Sequence, residues 1–377
     1  MACSACGSKD LVTLPDPHPA RAVISDGRIV PYPLGKVSCP SCGLVSAPGR
    51  ADARFHYDDA YDLNLVDSPA ERARARRHAH LIRELADDRE PARALEIGCG
   101  SGALLRVLAE DWPGTLFDGI EAAPALAALP AGDPRIVKRQ GFAEDLRRDG
   151  NRHDLVYSIN VIEHALDPVA FLRALAAQTT EDARIVIVCP SGAAPNLELV
   201  FADHFHTFTA TSIPALAAQA GLAVTRHVDR PADLGDFQAF VLARTATSAS
   251  RAQPAMQGGG TLSEDRSRYL AAWAGLDQHF DAKLGATRNV VVFGAGEATC
   301  LLRAYAPRTW ERVEEIWVDE PASARRLDRP VMAYAGIPPA PERCVLIATH
   351  PSSQQAVASR LEHDGHSVAI WSDLIAR

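Results

Sequence analysis

Three glycines and two acids carry the clearest chemistry in this chain. Glu96-Ile97-Gly98-Cys99-Gly100-Ser101-Gly102 sets alternate glycines between an apolar run and a helix-forming run. Glycine tolerates positive φ and lets backbone amides approach a ligand, so the pattern predicts a tight strand-to-helix turn around a nucleotide-like molecule. Glu121 closes the next apolar run, where a carboxylate can accept both hydroxyls of a ribose. Farther on, Ser158 to His164 is followed by Asp167-Pro168. An ordinary βα turn and a dinucleotide site use similar glycines, but the dinucleotide pattern has no counterpart to the Asn160–His164 segment.

A second group of residues is suited to a metal. Cys3-x-x-Cys6 and Cys39-x-x-Cys42 form two hooks, each followed by glycine, Gly7 and Gly43. Four thiolates in this arrangement suit tetrahedral Zn2+, a closed and therefore structural site. Free cysteines or a redox pair are the alternatives. Cys99, Cys189, Cys300 and Cys344 lie in or beside apolar runs and read as core.

Imidazoles titrate near neutrality and are the default proton acceptors. His164 follows the predicted fourth strand, and His204 and His206 follow the fifth. Both positions fall at the carboxyl edge, where open α/β sheets bind ligands. Packing in a loop is the alternative for His206. A metal site of His204 and His206 with Asp203 has a poor warrant on one irregular loop.

These residues need a scaffold, and the hydrophobic pattern supplies one. Pro15, Pro17, Pro19, Pro31 and Pro33 break the first fifty residues into strands and turns. Ser68 and Pro69 open a helix over 69–89. Strands are predicted at 94–97, 116–121, 136–138, 154–159 and 183–189, with helices between, at 102–110, 123–129 and 167–178. A helix at 211–220 and strands at 222–228 and 237–243 complete a doubly wound α/β unit. Residues 246–262, with Gly258-Gly259-Gly260, read as a flexible linker, and a helix over 263–284 leads into strands at 289–293, 315–318, 344–349 and 367–371. The layout is therefore α/β: a zinc-binding module over 1–50, a central Rossmann-like domain over 51–245, the linker, and a smaller Rossmann-like domain over 263–377. In the last domain, Gly294-Ala295-Gly296 and Asp319 suggest a nucleotide site; a degenerate fold kept for packing is the alternative.

The net charge of −8 disfavours nucleic acid as a partner. No apolar run approaches a membrane span and no signal segment is visible, so a cytoplasmic protein is expected.

Over roughly 90–245, the sequence resembles class I methyltransferases. The resemblance implies S-adenosylmethionine bound by Glu96, Gly98, Cys99, Gly100 and Gly102, with Glu121 on the ribose. It puts Phe142 and Ala143 at the adenine side and Asn160 to His164 along the sulfonium. Phe142 departs from the acid that many members place there; an apolar ring can stack on the base instead. The whole layout resembles the three-domain zinc-containing sugar C-methyltransferases. In that family Arg288 to Glu297 would open the C-terminal domain, and Tyr57-Asp58-Asp59-Ala60-Tyr61 would bring tyrosines to the substrate. Wall or core positions are the alternative for Tyr57 and Tyr61.

That resemblance implies C-methylation of a nucleotide-linked keto-deoxysugar in a bacterial natural-product pathway. Removal of an α-proton is needed, with His164, His204 or His206 as candidate bases. The C-terminal domain would hold the nucleotide, and Arg72, Arg74, Arg76 and Arg77 could assist a diphosphate or form a solvated helix face. Competing expectations are O- or N-methylation of another small metabolite, an RNA- or protein-directed methyltransferase, and a non-catalytic donor-binding scaffold.

Overall fold

The computed structural model describes residues 1–50, 56–61, 69–146, 152–232, 234–245, 260–285, 289–321 and 327–371. The proline-rich start forms short strands: β1 (Val12–Thr13), β2 (Ala22–Val23), β3 (Ile29–Val30), β4 (Val37–Ser38) and β5 (Val45–Ser46). β2 and β3 pair antiparallel, and β1, β4 and β5 form consecutive strands of a second sheet.

The next elements are α1 (Pro69–Leu85), β6 (Arg93–Ile97), α2 (Ala103–Asp111), β7 (Leu116–Glu121), α3 (Pro124–Ala127), β8 (Ile136–Gln140) and β9 (His153–Ile159). α4 (Pro168–Ala177), β10 (Thr179–Pro190), β11 (His206–Thr207), α5 (Ser212–Gln219), β12 (Leu222–Asp229) and β13 (Phe237–Arg244) follow. The predicted N-cap Ser68 lies outside the described residues. α1 stops before residue 89 because Asp87 and Asp88 take positive φ and the Asp88 amide returns to the Arg83 carbonyl at 2.8 Å. That closes the helix in a left-handed terminal turn. Asp167 caps α4 by accepting the amides of Val169 and Ala170 at 2.9 and 3.0 Å.

These strands build a seven-stranded sheet in the order β12-β13-β10-β9-β6-β7-β8. Neighbours from β10 to β8 are parallel, and β13 runs antiparallel to both β10 and β12. The order reverses between β6 and β9, so their carboxyl ends diverge into a crevice. Buried apolar side chains cover both faces, which explains the near-continuous apolar character of Ile185 to Cys189.

β11 was not expected. It pairs with β5, His206 opposite Ser46, and so completes the four-stranded sheet β1-β4-β5-β11. The first fifty residues thus share a sheet with a segment that follows the fifth central strand.

The chain continues with α6 (Gly260–Ala274), α7 (Leu276–Leu284), β14 (Asn289–Phe293), α8 (Glu297–Tyr305), α9 (Pro307–Glu311) and β15 (Val313–Val318). It ends in β16 (Val331–Ala333), β17 (Arg343–Ile347), α10 (Pro351–His363) and β18 (Ser367–Ile370). The predicted helix over 263–284 is two helices, broken at Gly275, and it begins three residues early. Residues 260–262 therefore belong to α6 and not to a linker; 246–259 lie outside the described residues. Ser263 bonds Ser38 through their hydroxyls at 2.9 Å, and buried Arg266 donates to the carbonyls of Gly43 at 2.7 Å and Gly192 at 2.8 Å. These contacts seat α6 on the second cysteine hook.

The second α/β sheet is all-parallel, in the order β16-β15-β14-β17-β18. β16 escaped prediction because its three residues include no buried one. One apolar cluster unites Val23, Val45 and Phe201 with Trp273, Tyr305 and Trp371. Among the described residues, no helix is long and apolar enough to cross a membrane.

Candidate active site

A cavity of about 560 Å³ opens at the carboxyl ends of β6, β7 and β9. Gly98 takes φ +77°, and a Cβ there would stand 2.4 Å from Val161 Cγ2. Gly100 has φ +51° and donates its amide to Glu121 Oε2 at 2.7 Å; Ala123 donates to Oε1 at 2.9 Å. Gly98, Cys99, Gly100 and Glu121 all line the cavity. Gly102 does not: at φ +81° it is the residue from which α2 starts, and a Cβ would crowd the Lys138 side chain at 3.3 Å.

Glu96 is buried at the same end, with the Tyr157 hydroxyl donating to it at 3.4 Å. Burial pushes its carboxyl up to about 8. Phe142, Ala143 and Asn160 complete the wall. Asn160 holds a left-handed φ of +56°, anchored by its amide on the Val188 carbonyl at 3.0 Å. A non-glycine residue in that conformation at the mouth of a cavity is a common sign of a functional turn.

The other end is aromatic and polar. Tyr57 and Tyr61 pack at 4.8 Å between ring centroids, and Tyr57 also meets Phe142 at 5.9 Å and His164 at 6.2 Å. His164 and His204 stand nearly perpendicular with centroids 4.6 Å apart. The His164 Nδ1–H donates to the Asp203 carbonyl at 2.8 Å. The Nδ1 of His204 lies 3.2 Å from Glu198. Burial holds both imidazoles below their usual pKa, favouring the neutral form. Asp203 is itself buried, and its carboxylate accepts the amide of Ser25 at 2.9 Å and its hydroxyl at 2.5 Å. A residue from the first β-hairpin region thereby braces the loop that carries His204.

His206, expected beside them, is elsewhere. It is buried in β11, with Nδ1 3.2 Å from the Ser46 hydroxyl and Nε2 3.4 Å from the Leu166 carbonyl, and it stacks on Phe208. It does not line the cavity, because pairing of β11 with β5 commits its ring to the sheet interface. The Asp203–His204–His206 metal set is not assembled either; the histidines that approach a common point are His164 and His204, with Glu163.

Residues 70–227 match the family model of a methyltransferase domain. This segment is a class I, S-adenosylmethionine-dependent methyltransferase domain. The chain is 38% identical over 86 residues to a ubiquinone biosynthesis O-methyltransferase of Azorhizobium caulinodans, covering 22% of this chain and 33% of that protein. It is 39% identical over 87 residues to the one from Cereibacter sphaeroides, covering 22% and 34%. The chain thus spans about a third of the length of these curated relatives. Among solved structures, mitomycin 7-O-methyltransferase is similar at 19% identity and a TM-score of 0.40, over 53% of this chain and 62% of that one.

The methyltransferase domain is joined to the cysteine hooks. Cys3 and Cys42 sulfurs lie 3.5 Å apart, as do those of Cys6 and Cys39, and the four sulfurs are within 4.8 Å of one another. Gly7 and Gly43 take positive φ and return their amides to the carbonyls of Cys3 and Cys39. Thr209, just past β11, donates its hydroxyl to the Cys42 carbonyl at 2.7 Å.

A second cavity of about 330 Å³ sits at the carboxyl edge of β14, lined by Gly294, Ala295, Gly296, Glu297, Thr349 and neighbours. Glu297 lines both of these cavities, so the second one borders the methyltransferase domain's cavity. Asp319 does not line it and pairs with Arg360 at 3.1 Å. Several wall residues were not foreseen at this cavity: Ser25, His78, Glu198 and Glu297, which come from segments distant in sequence. Of the arginines on α1, Arg74 lines the cavity, bridged to Glu71 at 2.8 Å; Arg72, Arg76 and Arg77 are exposed and do not.

Proposed function

We propose that the chain methylates a small-molecule acceptor, specifically a nucleotide-linked keto-sugar, at carbon. S-adenosylmethionine supplies an electrophilic methyl group when bound. Glu96, the Gly98–Gly100 turn, Glu121, Phe142, Ala143 and Asn160 would hold that donor. Each of these residues lines one cavity, and Gly98 packs so closely on Val161 that a Cβ there would overlap it. Tyr57, Tyr61, His164 and His204 would face the acceptor. His164, with Nδ1–H already committed, presents Nε2 as a lone pair to an acidic proton or an oxygen-bound group, and His204 is oriented the same way by Glu198.

The observation that carries the sugar-nucleotide reading is the shared wall at Glu297. A substrate with its nucleotide beside Gly294–Gly296 can extend its sugar toward His164 and His204. The Thr349 hydroxyl lines the second cavity with no hydrogen-bond partner among the described residues, which supports a polar ligand there. The relatives named as O-methyltransferases favour a second reading, O-methylation of a phenol-like hydroxyl. Labelled donor with thymidine-diphosphate keto-sugars in one arm and catechol-like phenols in the other separates them. Transfer to a keto-sugar carbon supports the first; transfer only to phenols replaces it with the second.

The four hook cysteines fit a structural Zn2+: four sulfur donors, no open position, and glycine turns beneath each pair. Their contacts with Thr209 and Arg266 give that module a bracing role rather than a chemical one.

A further inference from the structure

The methyl-transfer reading makes no use of Glu163. This side chain lies in the short helical turn Ile162–His164 and is buried. Its own amide leans toward the carboxylate, yet neither oxygen has a partner that meets hydrogen-bond geometry among the described residues. A buried carboxyl with both oxygens unmatched is costly unless something fills the gap. His164 is held by the Asp203 carbonyl and not by Glu163.

We propose that Glu163, His164 and His204 bind a first-row divalent cation at the acceptor end of the cavity, whose wall includes the two histidines but not Glu163. One ligand atom from each residue lies within 4.8 Å of the other two. The three come from two separate segments, the turn after β9 and the loop after β10, and the loop is braced by Asp203 and Ser25.

The tautomers match the task. A carbonyl oxygen only accepts, so His164 carries its proton on Nδ1 and turns a lone pair outward at Nε2. Glu198 beside the His204 Nδ1 favours the same arrangement there. Metal-bound histidines nearly always give their other ring N–H to a carbonyl or carboxylate, and both kinds of partner are present here. Two imidazoles and one carboxylate suit Zn2+, Co2+, Fe2+ or Mn2+ rather than Ca2+ or Mg2+, which take oxygen ligands. Such an ion would leave open positions facing the cavity, where an acceptor oxygen can sit. The imidazoles would then reach the acceptor through the cation.

The site needs neither donor nor acceptor, so its test is separate from that of methyl transfer. The full chain is stripped with a chelator, given one equivalent of Zn2+ for the four thiolates, and titrated with Co2+. One further equivalent of Co2+ is expected to bind, with the weak visible ligand-field bands of a nitrogen–oxygen site and no thiolate charge-transfer band. Glu163→Gln and His204→Ala are each expected to weaken it by about tenfold or more, and Glu198→Gln, which keeps the side-chain shape, by a smaller factor. Circular dichroism confirms that the variants are folded; should His204→Ala fail to fold, Glu163→Gln and Glu198→Gln carry the comparison. Absence of saturable Co2+ binding to the unaltered chain overturns the proposal. Binding that the folded variants leave unchanged overturns it too.

Discussion

The Glu121 carboxylate accepts the Gly100 amide at 2.7 Å, so the acid that ends β7 also fixes the glycine turn that follows β6. Its second oxygen accepts the Ala123 amide at 2.9 Å. One side chain therefore shapes this end of the cavity before any ligand arrives. Hydrogen bonds to a charged acceptor contribute about 1.5–3 kcal/mol each. Glu121→Ala is expected to raise the Kd for S-adenosylmethionine by about tenfold or more, measured by calorimetry. An unchanged Kd would remove Glu121 from the donor site.

His204 and His206 are two residues apart but should behave oppositely. His204→Ala removes a cavity-facing imidazole and is expected to lower kcat by about 10²-fold or more while donor affinity stays within a few-fold. His206→Ala removes contacts to Ser46 and Leu166 and leaves the cavity wall intact. That variant is expected to lose roughly 1–2 kcal/mol of stability with turnover nearly kept. Urea unfolding beside steady-state kinetics checks both. The reverse pattern would exchange the roles assigned to the two histidines.

Glu96 makes stability depend on pH in a definite direction. Its folded carboxyl holds a proton up to about 8, whereas an unfolded glutamate releases it near the ordinary value of 4.5. Burial is the main cause; Tyr157 and the charges of Glu121, Lys138 and Arg74 modify it. Across that window the folded chain binds more protons, so stability falls as pH rises, by at most about 1.4 kcal/mol per pH unit from this one group. Below 4.5 both states are protonated and the contribution is flat. In donor-free protein, Glu96→Gln should therefore unfold with a shallower pH dependence between pH 5 and 8, the range set by those two values. Equal slopes for both proteins would contradict the assignment.

Much of this could be read directly from residue patterns, for a physical reason. Parallel strands buried on both faces are continuous apolar runs, and Ile185 to Cys189 in β10 stands out as such. The glycine turn is equally legible, because backbone needs at Gly98 and Gly100 restrict residue type. The hooks of Cys3–Cys6 and Cys39–Cys42 come together as their spacing implies. What stayed hidden depends on distant partners. β11 is two residues long and exists through Ser46 and Val45, so nothing local separates His206 in a sheet from His204 in a wall. Ser25, Glu198 and Glu297 reach the cavity from three separate elements or loops, with no shared motif.

The cysteine cluster offers a test of coupling. Because β11 closes the sheet begun by β1, β4 and β5, loosening the hooks should loosen the segment just after His204. Removal of bound zinc by a strong chelator is expected to lower Tm by roughly 5 °C or more while the affinity for S-adenosylmethionine changes little. A chain that carries no zinc as purified, or one whose melting ignores the chelator, would refute a structural metal there.

The most direct measurement concerns Gly98. Calorimetry of the purified chain should show S-adenosylmethionine binding at one site, with no comparable uptake of a nicotinamide dinucleotide. In Gly98→Val, whose Cβ would meet Val161 Cγ2 at 2.4 Å in a backbone at φ +77°, that binding should disappear. Unaltered donor affinity in the variant, or preference of the native chain for the dinucleotide, would contradict the account.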